Sequence, residues 1–317
     1  MQRRSFISNS LKGTLTLSIL PIIRKFDHEN PLERKFTLWL DPGALGVQAN
    51  QEELLDYAVK YGFEAITAMP TELASYSDDE IQAFTDRMKE QNIVWGTAGL
   101  TVQFREDEAT YRQGLSALPD IIRALEKAGV KRVNTWIMPR HDTLTYRENY
   151  HQHARRLKSI AAILGDKGMR LGLEYVGPKT LWAAQKYPFV HTMAETKELI
   201  TAIGEPNVGF VLDSFHWFTA GETDADILTL TNQDVVACDL NDARSGFSRD
   251  EQIDGKRELP AATGVIDIKA FLKALMAVGY DGPVRAEPFN QPLRDMPDEE
   301  ALEATYEAMK KAIDMTN

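Results

Sequence analysis

The chain has 317 residues, 36 Lys plus Arg against 47 Asp plus Glu, a single cysteine and a formal net charge of −11. That acidity tells against a nucleic-acid or anionic-membrane partner, which needs a basic footprint; lone Cys238 excludes an intramolecular disulfide or a multi-cysteine metal cluster. No stretch reaches the ~20 uninterrupted apolar residues of a membrane span, so the composition describes a soluble globular protein that acts on a small molecule.

The first element is a basic leader. Residues 1–35 hold seven basic and three acidic side chains, a net +4, which leaves −15 for the rest. Arg3-Arg4-Ser5-Phe6-Ile7, the mostly apolar run from Leu11 to Ile23, and Arg24-Lys25 after it fit a twin-arginine export signal and hence a periplasmic location. Lys12 inside the run, and the lack of a small-x-small cleavage site, fit a cytoplasmic N-terminal extension instead. Residues 1–35 are therefore set apart, and 36–317 are read as one catalytic domain.

From Phe36 onward, short β-type runs alternate with longer amphipathic ones. The predicted strands are Phe36–Leu40, Glu64–Ala68, Ile93–Ala98, Arg132–Ile137, Arg170–Tyr175, Val208–Leu212, Asp234–Asp239 and Val284–Glu287. Most are apolar on both faces, as parallel strands covered by helices are. The predicted helices include Gln51–Tyr61 after Asn50, Asp78–Gln91 after Ser77, Tyr146–Lys167, Ala194–Ile203 and Asp267–Val278, with glycine stops at Gly62, Gly168, Gly204 and Gly279. Pro119 within Glu106–Lys127 predicts a kink or two helices. Eight strand-helix units in 282 residues, about 35 per unit, predict an α/β (β/α)8 TIM barrel. The first strand is followed by no Gly-rich dinucleotide fingerprint, which argues against a doubly wound sheet.

In parallel α/β folds the chemistry sits at the carboxyl ends of strands. The last four strands finish on Glu174, Asp213, Asp239 and Glu287, with His216 three residues after Asp213. Each alone reads as a helix N-cap. Together, four converging carboxylates repel one another unless a cation lies between them. All-oxygen donors suit one Mn2+ or Mg2+ ion better than Zn2+.

Glu174 in Leu-Glu-Tyr, Asp213 and His216 in Leu-Asp-Ser-Phe-His, Asp239-x-x-Asp242, Leu259-Pro260, Gly264-Val-Ile-Asp267 and Glu287 before Pro288 resemble the sugar isomerase/epimerase family with the xylose-isomerase-like barrel. The resemblance implies a divalent metal at the barrel mouth, held from strands five to eight by Glu174, Asp213, Asp239 and Glu287. The family's usual strand-seven ligand is a histidine, where this chain has Asp239. That departure moves the site toward the all-carboxylate aldose isomerases, leaving epimerase and isomerase both open. The implied chemistry is proton transfer beside a carbonyl through an enediolate, with Glu174 and Glu287 as base and acid. His216 then bonds a substrate oxygen or a second metal.

Weaker features shape the expected substrate pocket. Trp39, Trp136, Trp182 and Trp217 fall at or beyond strand ends, where indoles stack on sugars; core packing explains Trp136 equally well. Residues 178–191 form a long connection of the kind that makes lids. His141 is a candidate substrate contact. Arg244, Arg249, Lys256 and Arg257 are candidates to neutralise a substrate phosphate, although the acids among them favour a solvated loop.

Three other classes compete. A glycosidase needs two carboxylates but not Asp213 and Asp239. An apurinic-site endonuclease needs a histidine-rich zinc cluster. A metal-dependent lyase or hydrolase of keto-glycosides, or a non-catalytic carbohydrate-binding barrel, uses the same residues. The expected partner is a small sugar; the sequence does not fix the oligomeric state, although an exposed barrel face often pairs, which leaves a homo-oligomer open.

Overall fold

The structure, a computed structural model, describes residues 33–317. The predicted export signal therefore lies outside the described residues. Among those described, no helix is long and apolar enough to cross a membrane.

Eight parallel strands close into a barrel: β1 (Thr37–Leu40), β2 (Ala65–Ala68), β3 (Val94–Gly99), β4 (Arg132–Trp136), β5 (Arg170–Glu174), β6 (Val208–Asp213), β7 (Val235–Leu240) and β8 (Pro283–Ala286). Each pairs with its sequence neighbours, and β8 closes onto β1 through Thr37 opposite Pro283. All eight lie within one residue of the predicted runs. Trp39, Ala65, Val211 and Ala237, from β1, β2, β6 and β7, form a small cluster that meets inside the barrel. Larger apolar layers pack between the strands and the surrounding helices. Cys238 is buried in that layer as a small core residue.

The main helix after each strand is α1 (Gln51–Tyr61), α2 (Asp78–Glu90), α3 (Glu108–Lys127), α4 (Tyr146–Gly165), α5 (Met193–Ile203), α6 (Ser214–Ala220), α7 (Ile268–Ala277) and α8 (Asp298–Asp314). Their ends follow local chemistry. Asn50 and Glu53 form a reciprocal capping box at α1, as do Ser77 and Glu80 at α2. Gly62 and Gly204 end α1 and α5 at φ 87° and 72°, a left-handed turn that costs glycine nothing.

One expectation is corrected. Pro119 does not divide its segment into two helices: α3 is continuous over 20 residues. Proline removes one donor, whereas the apolar face of Tyr111, Leu118, Ile122 and Leu125 packs across it and holds the turns on either side.

The connection at 178–191 is tied down rather than open. Tyr187–Pro188 pairs antiparallel with Arg140–His141, and Thr180 Oγ1 donates to the Gln252 carbonyl at 2.7 Å. Lys179 pairs with Asp250 at 2.5 Å.

Candidate active site

Chain direction brings the four acids together. Glu174 and Asp213 are the last residues of β5 and β6, Asp239 is the fifth of six in β7, and Glu287 directly follows β8. One carboxylate oxygen from each lies within 4.8 Å of the others. A second grouping joins Glu174 and Asp213 to His216.

Asp213 serves both readings that its position allowed. Its Oδ1 caps α6, accepting from the Phe215 and His216 N–H groups at 2.6 and 3.1 Å. Its Oδ2 faces the cluster and accepts from Asn241 Nδ2 and Arg257 Nη1, both at 2.8 Å. Asn241 also accepts from the Glu287 N–H at 2.9 Å, so one amide locks the ends of β6, β7 and β8 together. His216 Nδ1 lies 3.3 Å from the Gly177 N–H, and its Nε2 lies 3.1 Å from Arg257 Nη2 and 3.6 Å from Glu174 Oε1. Burial above all pushes the His216 pKa down to about 4.

Two arginines enter the cluster. Arg257, from the long connection after β7, is 2% exposed and lies between the rings of Phe215 and Phe289. It reaches Asp213, Glu287 Oε2 at 3.1 Å and Asp254 at 2.7 Å. Arg285, within β8, grips Asp239 and also reaches Glu287 and Asp41. Burial opposes the charge on each guanidinium, and the surrounding carboxylates more than reverse that, raising both above the usual arginine range.

Six carboxylates, counting Asp41 and Asp254, thus surround two guanidiniums and remain under-compensated. Burial first, then the Glu287, Asp239 and Asp213 charges, drives the Glu174 carboxyl well above its ordinary range. Burial likewise pushes Glu287 up to about 8, against the pull of Arg285. Glu174 Oε1 is buried without any hydrogen-bond partner.

Glu174, Glu287 and Arg285 line a cavity of about 530 Å3 together with Asp41, Arg105 and Trp136. That volume suits a small-molecule ligand. Trp136 is 37% exposed, and the Arg105 guanidinium stacks 4.3 Å from its ring.

The other aromatic and basic candidates are dispersed. Trp39 is 1% exposed inside the barrel, donates to Thr67 Oγ1 at 2.8 Å and carries Arg285 4.6 Å above its ring. Trp217 packs edge-on against Phe271 and donates to the Thr223 carbonyl, so it belongs to the core between barrel and helices. Trp182 stacks on His191 at 4.7 Å in the tied connection. His141 Nδ1 accepts from the Thr143 and Leu144 N–H groups and organises its own turn. Arg244 lies over Phe247 and lines a separate cavity of about 790 Å3 beside Arg257 and Arg294. None of these five side chains lines the cavity that holds Glu174.

Arg285, Asp41, Asn241 and the burial of Arg257 escaped the reading of the sequence. Two carried signals: Asp41 directly follows an apolar strand, and Arg285 is a charge inside a strand buried on both faces. Arg257 carried none, being one of several cations in a charged connection. Asp242, read beside Asp239, is structural: its carboxylate accepts from the Ala243, Thr263, Gly264 and Ile266 N–H groups.

Residues 55–315 match the family model described as a xylose isomerase-like TIM barrel. The chain is 23% identical over 271 residues to the inosose isomerase of Bacillus velezensis, covering 84% of this chain and 92% of that protein. The structure of a xylose isomerase domain protein from Alicyclobacillus acidocaldarius superposes with a TM-score of 0.78 at 33% identity, over 89% of this chain and 99% of that one. The IOLI protein, solved with a zinc atom, superposes with a TM-score of 0.74 at 21% identity, over 89% and 99%.

Proposed function

The chain belongs to the xylose isomerase-like TIM-barrel family, and from that premise we propose that it isomerises or epimerises a small sugar by moving a proton at the carbon beside a carbonyl. The observation that carries this reading is that Glu174 and Glu287 line the same cavity, with carboxylate oxygens within 4.8 Å of each other.

The residues fit a divalent cation. Glu174 Oε1 is buried and unpartnered, and Arg257 Nη1 places positive charge between Asp213 Oδ2 and Glu287 Oε2. Oxygen donors from Glu174, Asp213, Asp239 and Glu287 favour Mn2+ or Mg2+ over Zn2+. Such a cation, when bound, supplies the charge that stabilises an oxyanion developing on the sugar.

The side chains do the rest. Glu174 and Glu287 exchange a proton with the substrate carbon from two directions, one taking it to form the enediolate and the other returning it. Without a cation, burial and the neighbouring carboxylates raise the proton affinity of both, a repulsion that a bound dication relieves. Trp136 offers the sugar an indole face stiffened by Arg105.

The test is turnover of candidate sugars in deuterium oxide after chelation and metal return. We expect activity to vanish with chelator, to return with Mn2+ or Mg2+, and to leave deuterium beside the carbonyl. Turnover without deuterium uptake would replace proton transfer with a hydride shift.

A further inference from the structure

We infer that Asp239 and Arg285 form a fixed ion pair that takes β7 out of metal coordination, so that Glu174, Asp213 and Glu287 are the carboxylates left to hold the cation. This rests on the metal-dependent reading above and narrows its ligand set.

The pair is built into the barrel. Asp239 and Arg285 are directly opposite one another in the β7–β8 register. Arg285 Nε donates to Asp239 Oδ1 at 2.7 Å and Nη2 to Oδ2 at 2.9 Å, a two-pronged contact that engages both oxygens. Asp239 is 0% exposed. The guanidinium is fixed from every side: Trp39 lies beneath it, Nη1 donates to Asp41 Oδ2 at 2.6 Å, and Nη2 donates to Glu287 Oε1 at 2.6 Å. Swinging Arg285 away would strand fully buried Asp239, take one contact each from Asp41 and Glu287, and leave a strand-borne cation unpaired, the arrangement that costs most in a protein interior.

Arg257 differs in kind. It belongs to the connection after β7, and a single nitrogen, Nη1, serves both Asp213 and Glu287. An incoming dication competes with that one nitrogen, whereas at Asp239 it would have to displace a whole fork. Asp213 and Glu287 therefore remain open to exchange a guanidinium contact for a metal, and Glu174 Oε1 has no contact to exchange.

The arrangement leaves one donor over. Of the five guanidinium N–H groups of Arg285, four are used in the contacts above, and the fifth, on Nη1, has no partner among the described residues. Arg285 lines the cavity beside Glu287, so this N–H is available to a carbonyl or hydroxyl oxygen of the sugar.

The experiment is Mn2+ titration by calorimetry and by loss of the free-Mn2+ resonance signal on full-length protein stripped of metal. Wild type should bind one Mn2+. In the double variant D239L/R285M, which replaces a buried pair by apolar groups, stoichiometry should stay at one and affinity fall by no more than about tenfold, the lower range for residues outside the coordination shell. D213N should abolish saturable binding. The neutral pair D239N/R285Q carries the same expectation and serves if the apolar pair does not fold. A folded double variant that loses Mn2+ as D213N does overturns the inference and leaves the metal-dependent reading intact. Wild type that binds no Mn2+ overturns both.

Discussion

Glu174 and Glu287 have carboxylate oxygens within 4.8 Å of each other, and at the residue scale their removal is the sharpest probe of the proposed proton transfer. Glu174→Gln and Glu287→Gln are each expected to lower turnover by at least about a hundredfold, the scale of general acid-base assistance, with the far-ultraviolet spectrum unchanged. Activity near wild type in either variant removes that residue from its role. A second titration belongs to Glu222, which accepts from the Tyr175 hydroxyl and, at 2.6 Å, from the Met193 N–H. Burial pushes its pKa up to about 7, against about 4.3 in an unfolded chain. Between those values the folded state holds a proton that the unfolded state lacks, so stability falls as pH rises through the window, and the penalty is complete above it. Glu222→Gln should therefore gain in melting temperature relative to wild type between pH 5 and pH 8. A difference that stays constant with pH would show that Glu222 ionises freely.

Elements decide which side chain meets which. Trp39 on β1 fills the barrel beneath Arg285, and it fits because β3 presents a glycine there: a Cβ on Gly96 would lie 2.5 Å from the indole. Gly96→Ala should cost about 1–3 kcal/mol by overpacking, read as a lower urea midpoint. Because the indole carries the guanidinium, the same variant should weaken sugar binding. The acids of the site were legible because each lies at the end of an apolar run, a property of neighbouring residues. Asp41 obeys the same rule at the end of β1. The tryptophans were not legible: being near a strand end does not say whether a ring turns toward the cavity, as Trp136 does, or toward the helices, as Trp217 does.

At the scale of the whole molecule, the barrel gathers uncompensated negative charge from β1, β5, β6, β7 and β8 into one mouth. A divalent cation that binds only the folded chain should raise its stability by about 2.7 kcal/mol at a hundredfold excess over Kd. The melting temperature should rise with Mn2+ and fall back on chelation. A melting temperature indifferent to Mn2+ would mean that the acids are neutralised by protons and arginines alone.

Local pattern determined the eight strands, the capped helices, the barrel and the four acids, because periodicity, caps and strand ends are set by residues close together in the chain. The partners of those acids were decided by closure. Arg285 meets Asp41 across 244 positions because β8 pairs with β1, and Arg257 reaches Asp213 across 44 because its connection folds back over the mouth. A charge in a sequence is equally compatible with solvent and with a buried partner. Only the fold, by removing water from Asp239 and setting Arg285 opposite it, made that choice.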